Sequence, residues 1–420
     1  MRPALVPILL ADPLLWAAKA PYAWDFLKDR ARFAGGYKGA LANTPGWTAT
    51  PATHSAGGVL YASTASGALQ SFASGTLRRT DNGVLIEGAR TNLYLQSNNF
   101  SASWNLTNVT VTAAATTAPD GTLTAQKVEA TTSASTIINQ NAANGATSST
   151  FSIYCKKGSG ATDARSFVLR NHTTSTNLLS VEVDYDTGAI TYNVGSSGVS
   201  MTALADGWWR LVMTATSGIT SGDGIRCYPA FSGGSETAGE YCYLWGAQLE
   251  AASFPSSYIP TTTASATRAA DVLTVPVSGL TYPLSLFAEA EYSSPSAATG
   301  TDYIFSTEAS SIGVDSASLY FSGLQKPSWL VFSGSANQGN SAAAASASFG
   351  APAKMAVRVA TNDARFCSGG TLLAADTSLN LPASPTLIRW GSTGGSNMYL
   401  RRAAIWPRAL SDSELTTVST

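Results

Sequence analysis

Charge is the first thing this sequence has little of. Lys and Arg total 25 and Asp and Glu 26, together 12% of the 420 residues where ~25% is usual, and the formal net charge is -1. So few cations cannot form a basic stripe, which excludes a protein that displaces counterions from nucleic-acid phosphates. Histidine is scarcer still: only His54 and His172 are present, so a histidine-built catalytic or metal centre is not expected. The four cysteines, Cys155, Cys227, Cys242 and Cys367, are too few for a disulfide scaffold at this length, and none stands in a CxxC pair that would suit zinc. They read as reduced, structural thiols. Cys227 and Cys242 would face each other only if the segments around them formed a symmetric hairpin.

Uninterrupted apolar runs are also missing. The longest candidate, residues 4–20, is broken by Pro7, Asp12 and Pro13 and falls short of the ~20 residues a membrane-spanning helix needs. The same breaks argue against a secretory signal, although Arg2 precedes the run and Ala18-Lys19-Ala20 has small-x-small spacing. The expectation that remains is a docking segment whose side chains Leu5, Ile8, Leu9, Leu14, Leu15 and Trp16 bury themselves in a partner. Heptads and internal repeats are absent, as are GxSxG, HExxH and any phosphate-cradling loop. Glu289 and Glu291 share one strand face and come nearest to a carboxylate pair. No spacing marks them as a pair that cleaves glycosides.

What the chain does have is Ser, Thr, Ala and Gly in abundance, with 16 Tyr, 10 Trp and 14 Phe. Its polarity comes from hydroxyls and amides, a surface suited to neutral, hydroxyl-rich partners such as sugars. Residues 21–90 carry little regular pattern and read as a loop-rich arm with a few short strands. From Asn92 onward short alternating segments are bounded by turn residues, as in antiparallel sandwiches. Phe151-Ser-Ile-Tyr-Cys155, Ser166-Phe-Val-Leu-Arg170 and Trp209-Arg-Leu-Val-Met213 are strands on this pattern. Asp184 and Asp186 flank a turn completed by Gly188, so they are turn formers rather than an acid/base pair. The small, polar stretch 260–266 reads as a linker. The class is all-β: two antiparallel β-sandwich (jelly-roll) domains, 91–262 and 268–420, preceded by an N-terminal docking arm, 1–90.

Gly83-Val-Leu-Ile-Glu-Gly-Ala-Arg-Thr-Asn-Leu93, followed by Ala118-Pro-Asp-Gly121, Asp206-Gly-Trp-Trp-Arg210, Tyr243-Leu-Trp-Gly-Ala-Gln-Leu-Glu250 and Thr267-Arg-Ala-Ala-Asp271, resembles a domain of bacteriophage and prophage virion proteins, the head-spike and tail-fibre group. The same block is similar to the jelly-roll carbohydrate-binding modules of polysaccharide-degrading enzymes. The C-terminal region resembles concanavalin-A-like and laminin-G-like sandwiches through Ile388-Arg-Trp-Gly391, Asn397-Met-Tyr-Leu-Arg-Arg402 and Ser411-Asp-Ser-Glu414, the last a capping box that starts a helix.

The resemblance implies a virion appendage that attaches a particle to a cell-surface polysaccharide of its host. It further implies a homotrimer, other virion proteins as partners, and multivalency that makes weak single sites useful. A purely structural decoration or adaptor protein is the alternative. Neither catalysis nor a cofactor is expected, apart from a structural calcium ion of the kind related jelly rolls hold, for which Asp120, Glu129 and Glu250 are the matching carboxylates.

Sugar binding needs aromatic faces flanked by polar groups. The candidates are Trp104, Trp208, Tyr228 and Tyr243 in the first sandwich and Trp329, Trp390 and Tyr399 in the second. Adjacent residues on a strand point to opposite faces. Trp209 shares the parity of Leu211 and Met213 and is assigned to the core, which leaves Trp208 as the exposed ring.

Overall fold

The structure is a computed structural model that describes residues 20, 22–28, 30–33, 37–39, 48–50, 53–159, 164–292, 302–322, 325–348, 351–391 and 397–420. Leu5, Ile8, Leu9, Leu14, Leu15 and Trp16 lie outside the described residues. The fold is all-β with antiparallel pairing, as the alternating pattern requires. Among the described residues no helix is long and apolar enough to cross a membrane.

The chain divides into two compact units that exchange it repeatedly. One, the terminal unit, takes residues 1–51, 79–88 and 270–420; the other, the inserted unit, takes 52–78 and 89–269. Residues 21–90 are therefore not a separate arm: some of their strands join the sheets of the terminal unit, and the hairpin of residues 60–72 belongs to the inserted unit.

In the terminal unit a ten-stranded sheet accompanies a seven-stranded one. Its longest strand, Asn397–Trp406, carries Leu284–Tyr292 along one edge. Along its other edge lie two segments from near the start of the chain, Tyr22–Asp25 (Ala23 opposite Ala404) and Gly83–Glu87 (Val84 opposite Leu400). Gly83 has φ 117°, and a Cβ there would stand 2.4 Å from the Leu400 carbonyl, so the strand can start only at glycine. Burial explains why these short pieces hold. Trp24 and Phe26 are fully buried, meeting the Trp390 ring edge-on at 4.9 and 5.9 Å, while Phe305 stacks on Trp390 at 5.9 Å. Aromatic burial of this size, rather than strand propensity, recruits the segment that lacks a sequence pattern.

The helix Asp412–Ser419 begins at the expected capping box, in which the Ser411 Oγ accepts from the Glu414 amide and the Glu414 carboxylate accepts from the Ser411 amide. Its Leu415 and Val418 pack on Phe287, Ala356, Ala404 and Trp406.

The inserted unit has a six-stranded and a seven-stranded sheet. Side chains of Ser149–Ser159 alternate between two covered faces: Phe151, Ile153 and Cys155 enter the core with Leu211, Met213, Leu244 and Leu249, the opposing sheet supplying Ile138, Phe167, Leu169, Val181 and Ile225, while Tyr154 points the other way. The turn after Thr176–Asp184 forms as expected: the Asp184 carboxylate accepts from the amides of Asp186 and Thr187, and Gly188 has φ 72°.

The hairpin that would bring Cys227 to Cys242 does not form. Gly224–Tyr228 belongs to the seven-stranded sheet, with Cys227 opposite Gln140 and Leu169. Tyr241–Glu250 belongs to the six-stranded sheet, with Cys242 opposite Val128 and Lys157. The chain passes through Ser232–Ser235 of the seven-stranded sheet before changing sheets, so the two thiols lie in opposite layers. All four cysteines are free and buried. Burial pushes the Cys242 thiol up to about 12.

Candidate functional site

Most of the expected sugar-stacking aromatics are interior. Trp390 belongs to the terminal core at 1% exposure, and Tyr399 is buried on Asn397–Trp406 of the ten-stranded sheet. Trp329 is buried and donates Nε1–H to the Ser341 hydroxyl at 2.6 Å. Trp104 is packed between Tyr94 and Phe100, with its Nε1–H on the Gln96 carbonyl. A ring enclosed by protein offers no face to a ligand, so these four are corrected to packing residues. Tyr228 is half-buried on the seven-stranded sheet, and Tyr243 is half-buried on the six-stranded one.

The parity argument for Trp208 and Trp209 is right about alternation and wrong about solvent. Trp209 turns towards the core and donates Nε1–H to the Tyr185 carbonyl at 2.8 Å; Gly188 is bare where a Cβ would meet this indole at 2.6 Å. Trp208 does point the other way, yet it is only 2% exposed. The outer face of the six-stranded sheet is covered there by a second aromatic cluster, in which Tyr61, Leu69, Tyr154, Trp245 and Tyr258 join Trp208. Tyr61 and Leu69 come from the hairpin Leu60–Ser63/Leu69–Phe72, inside the stretch that reads as a loop-rich arm.

The cover is incomplete, and a cleft of about 260 Å³ opens at its edge. Three turns converge on it, residues 67–69, 117–121 and 204–206, with Trp208 at the base. Each turn is held by its own hydrogen bonds. The Leu69 amide donates to the Pro119 carbonyl, the Ala118 amide to the Thr122 carbonyl, and the Leu204 amide to the Trp208 carbonyl. Trp208 Nε1–H donates to the Thr117 carbonyl at 3.0 Å, which fixes the ring edge at the cleft.

Asp120 lines the cleft with one carboxylate oxygen accepting from Tyr61 Oη at 3.1 Å and the other from the Thr122 amide and hydroxyl. Burial, followed by this carboxylate, raises the Tyr61 hydroxyl, so Tyr61 stays a donor. Asp206 also lines the cleft, in a left-handed backbone conformation with φ 58°. It is exposed, and its carboxylate has no partner among the described residues.

Beside the cleft, cross-strand register sets Lys127, Tyr243, Lys156 and Trp208 in one row over four neighbouring strands. Lys127 is tied to Glu129 at 2.5 Å, which raises its ammonium above the ordinary lysine value. Lys157, on the next residue, pairs with Asp186 at 2.7 Å. Lys156 has no carboxylate partner among the described residues; its ammonium lies 6.0 Å from the Trp208 ring centroid. Burial, then Tyr241, push the Tyr243 hydroxyl up, and the two rings meet edge-on at 5.5 Å.

The expected calcium set does not assemble. Glu129 is spent on Lys127, and buried Glu250 accepts from the Ser256 amide and hydroxyl and from Gln248 Nε2. Among the described residues no three His, Cys, Asp or Glu side chains are grouped to hold a metal ion. Glu289 and Glu291 are ion-paired to Arg402 and Arg401.

Of the sequence candidates, then, Trp208 and Asp120 meet in one cleft and Tyr243 stands in the adjoining row. Lys156, Asp206, Leu69 and Leu204 escaped notice. The signal for Leu69 was present as Leu60-Tyr-Ala-Ser63, a turn with Gly67, and Leu69-Gln-Ser-Phe72, a hairpin pattern in miniature.

No protein-family model and no curated protein matches the chain. Solved structures resemble parts of it. The carbohydrate-binding module (CBM40) of the Ruminococcus gnavus IT-sialidase, bound to α2,3-sialyllactose, is 11% identical, covers 33% of this chain and 82% of its own, with a TM-score of 0.28. The binding domain of botulinum neurotoxin DC in complex with SialylT is 12% identical over 36% of this chain and 39% of its own, with a TM-score of 0.29. Domains LG4-5 of the mouse laminin α1 chain are 11% identical over 63% of this chain and 85% of their own, with a TM-score of 0.24. At such low identities and TM-scores these likenesses carry no functional argument.

Proposed function

We propose that this chain is a non-catalytic binding protein for a cell-surface polysaccharide, acting as an appendage that attaches a phage particle to its bacterial host. The observation that carries the sugar-binding part is the cleft on the six-stranded sheet. It combines an apolar wall from Leu69, Leu204 and the Trp208 edge with the carboxylates of Asp120 and Asp206, and the unpaired Lys156 ammonium stands beside it. Apolar surface for C–H groups, acceptors and a donor for hydroxyls are what a sugar requires. Glycoside hydrolysis calls for two working carboxylates, and of the two in the cleft only Asp206 stands free, since Asp120 has both oxygens bonded to Tyr61 and Thr122. The virion setting rests on the ordered motifs of the sequence, with the apolar side chains of residues 4–20 as the docking segment and a homotrimer as the assembled form.

Binding of the full chain to host cells and to purified surface polysaccharide tests the reading. Saturable binding that falls about tenfold in Lys156→Ala and Asp206→Ala, with no release of reducing ends, is the expected result. Attachment unchanged in both variants, or assembly into particles with no glycan bound, would point to a structural adaptor instead.

A further inference from the structure

Resting on that reading, we infer that the cleft takes one uncharged sugar ring at the end of a chain, not an internal stretch and not an acidic sugar. Size is the first reason. A volume of about 260 Å³ lies below the ~300–1,000 Å³ of pockets that hold drug-sized ligands, and it leaves room for about one hexose.

Shape is the second. The turns 67–69, 117–121 and 204–206 close around the Trp208 base, whereas a site for internal residues would be a groove open at both ends. Two of the turns also pack against each other: a Cβ on Gly67 would lie 3.2 Å from Leu204 Cδ2.

Charge is the third. Two carboxylates, Asp120 and Asp206, line the cleft, and one free ammonium, Lys156, stands beside it. Lys127 is paired with Glu129, Lys157 with Asp186, and the Arg210 guanidinium is held by the Ser256 carbonyl over the Tyr154 ring. The lining itself therefore holds two carboxylates and no cation, which disfavours a uronate or a sialic acid. The same groups suit a neutral ring. Asp206 has its oxygens free to accept from adjacent hydroxyls, Asp120 retains a lone pair on the oxygen that Tyr61 addresses, and Lys156 donates.

The test is calorimetric titration of the full chain with methyl glycosides of common neutral hexoses, with their unbranched oligomers, and with polygalacturonate before and after carboxyl reduction. The structure assigns a per-site affinity that changes less than about threefold with chain length, and tighter binding of the carboxyl-reduced polymer than of the acid. Asp206→Asn should weaken the neutral ligand about tenfold, the loss of one charge-assisted hydrogen bond, and should relax the rejection of polygalacturonate. Affinity climbing more than about tenfold from monomer to oligomer, or preference for the acid polymer, would overturn this inference while leaving sugar binding intact. Binding to none of these probes or to host polysaccharide would remove both.

Discussion

The ten-stranded sheet of the terminal unit and the cleft of the inserted unit treat their charges in opposite ways. On the ten-stranded sheet of the terminal unit, Glu289 pairs with Arg402 and Glu291 with Arg401, all at low exposure. Beside the cleft of the inserted unit, Lys156 and Asp206 have no charge partner among the described residues. Removing a partner from a buried pair leaves an uncompensated charge, whereas removing an exposed lone charge leaves nothing exposed to harm. In a chain with so little charge, the groups left unpaired at a concave surface are the ones available to a ligand. Aromatic richness, by contrast, serves interiors in both units: Trp24 and Trp390 in one, Trp208 and Trp245 in the other, are all buried.

That contrast can be broken at graded cost. Trp390→Ala opens a hole between Trp24, Phe26 and Phe305 and should lower stability by about 3–5 kcal/mol, read by urea denaturation. Arg402→Met strands the buried Glu289 carboxylate, and a loss of about 2–4 kcal/mol is expected from the same measurement. An unchanged midpoint there would mean that the pair is decorative and the contrast false.

A smaller effect belongs to the C-terminal helix. The Arg408 guanidinium, with the Ser411 amide, lowers Glu414 from its ordinary 4.5 to about 2. A depressed carboxylate stabilises fully above its unfolded value and loses that contribution as pH falls through 4.5 towards 2. Hydrogen exchange should therefore show the last helix fraying over that window. Glu414→Gln should abolish the pH dependence at a cost of about 1 kcal/mol or less. Smallest of all, Lys156→Ala should shift the midpoint by no more than about 0.5 kcal/mol while reducing binding. A large destabilisation would recast Lys156 as structural.

How far the sequence revealed this structure varies by residue. The all-β class, the Asp184 turn, the Ser411 capping box and the face shared by Trp209, Leu211 and Met213 were legible, because each is written in neighbours two to four positions apart. The role of Trp208 was not. Whether a strand's outer face meets water depends on a hairpin more than a hundred residues earlier, and no local pattern encodes that cover. Tyr22–Asp25 was unreadable for the same reason: four residues carry no period, and only the distant Trp390 explains why they are held. The cleft is a meeting of three turns, so its lining is scattered between Gly67 and Trp208.

The pairing of Tyr22–Asp25 with Asn397–Trp406 also sets a timetable. The strand at residues 22–25 must wait for its partner at residues 397–406, which is synthesised after everything between them. Until that partner strand is made, Trp24 and Phe26 lack the sheet they are buried in. Meanwhile residues 89–269, synthesised in one stretch between the two, hold both sheets of their own sandwich and are free to close first. A message cut after residue 269 would thus yield an inserted unit with its sheets complete and residues 22–25 without their partner strand.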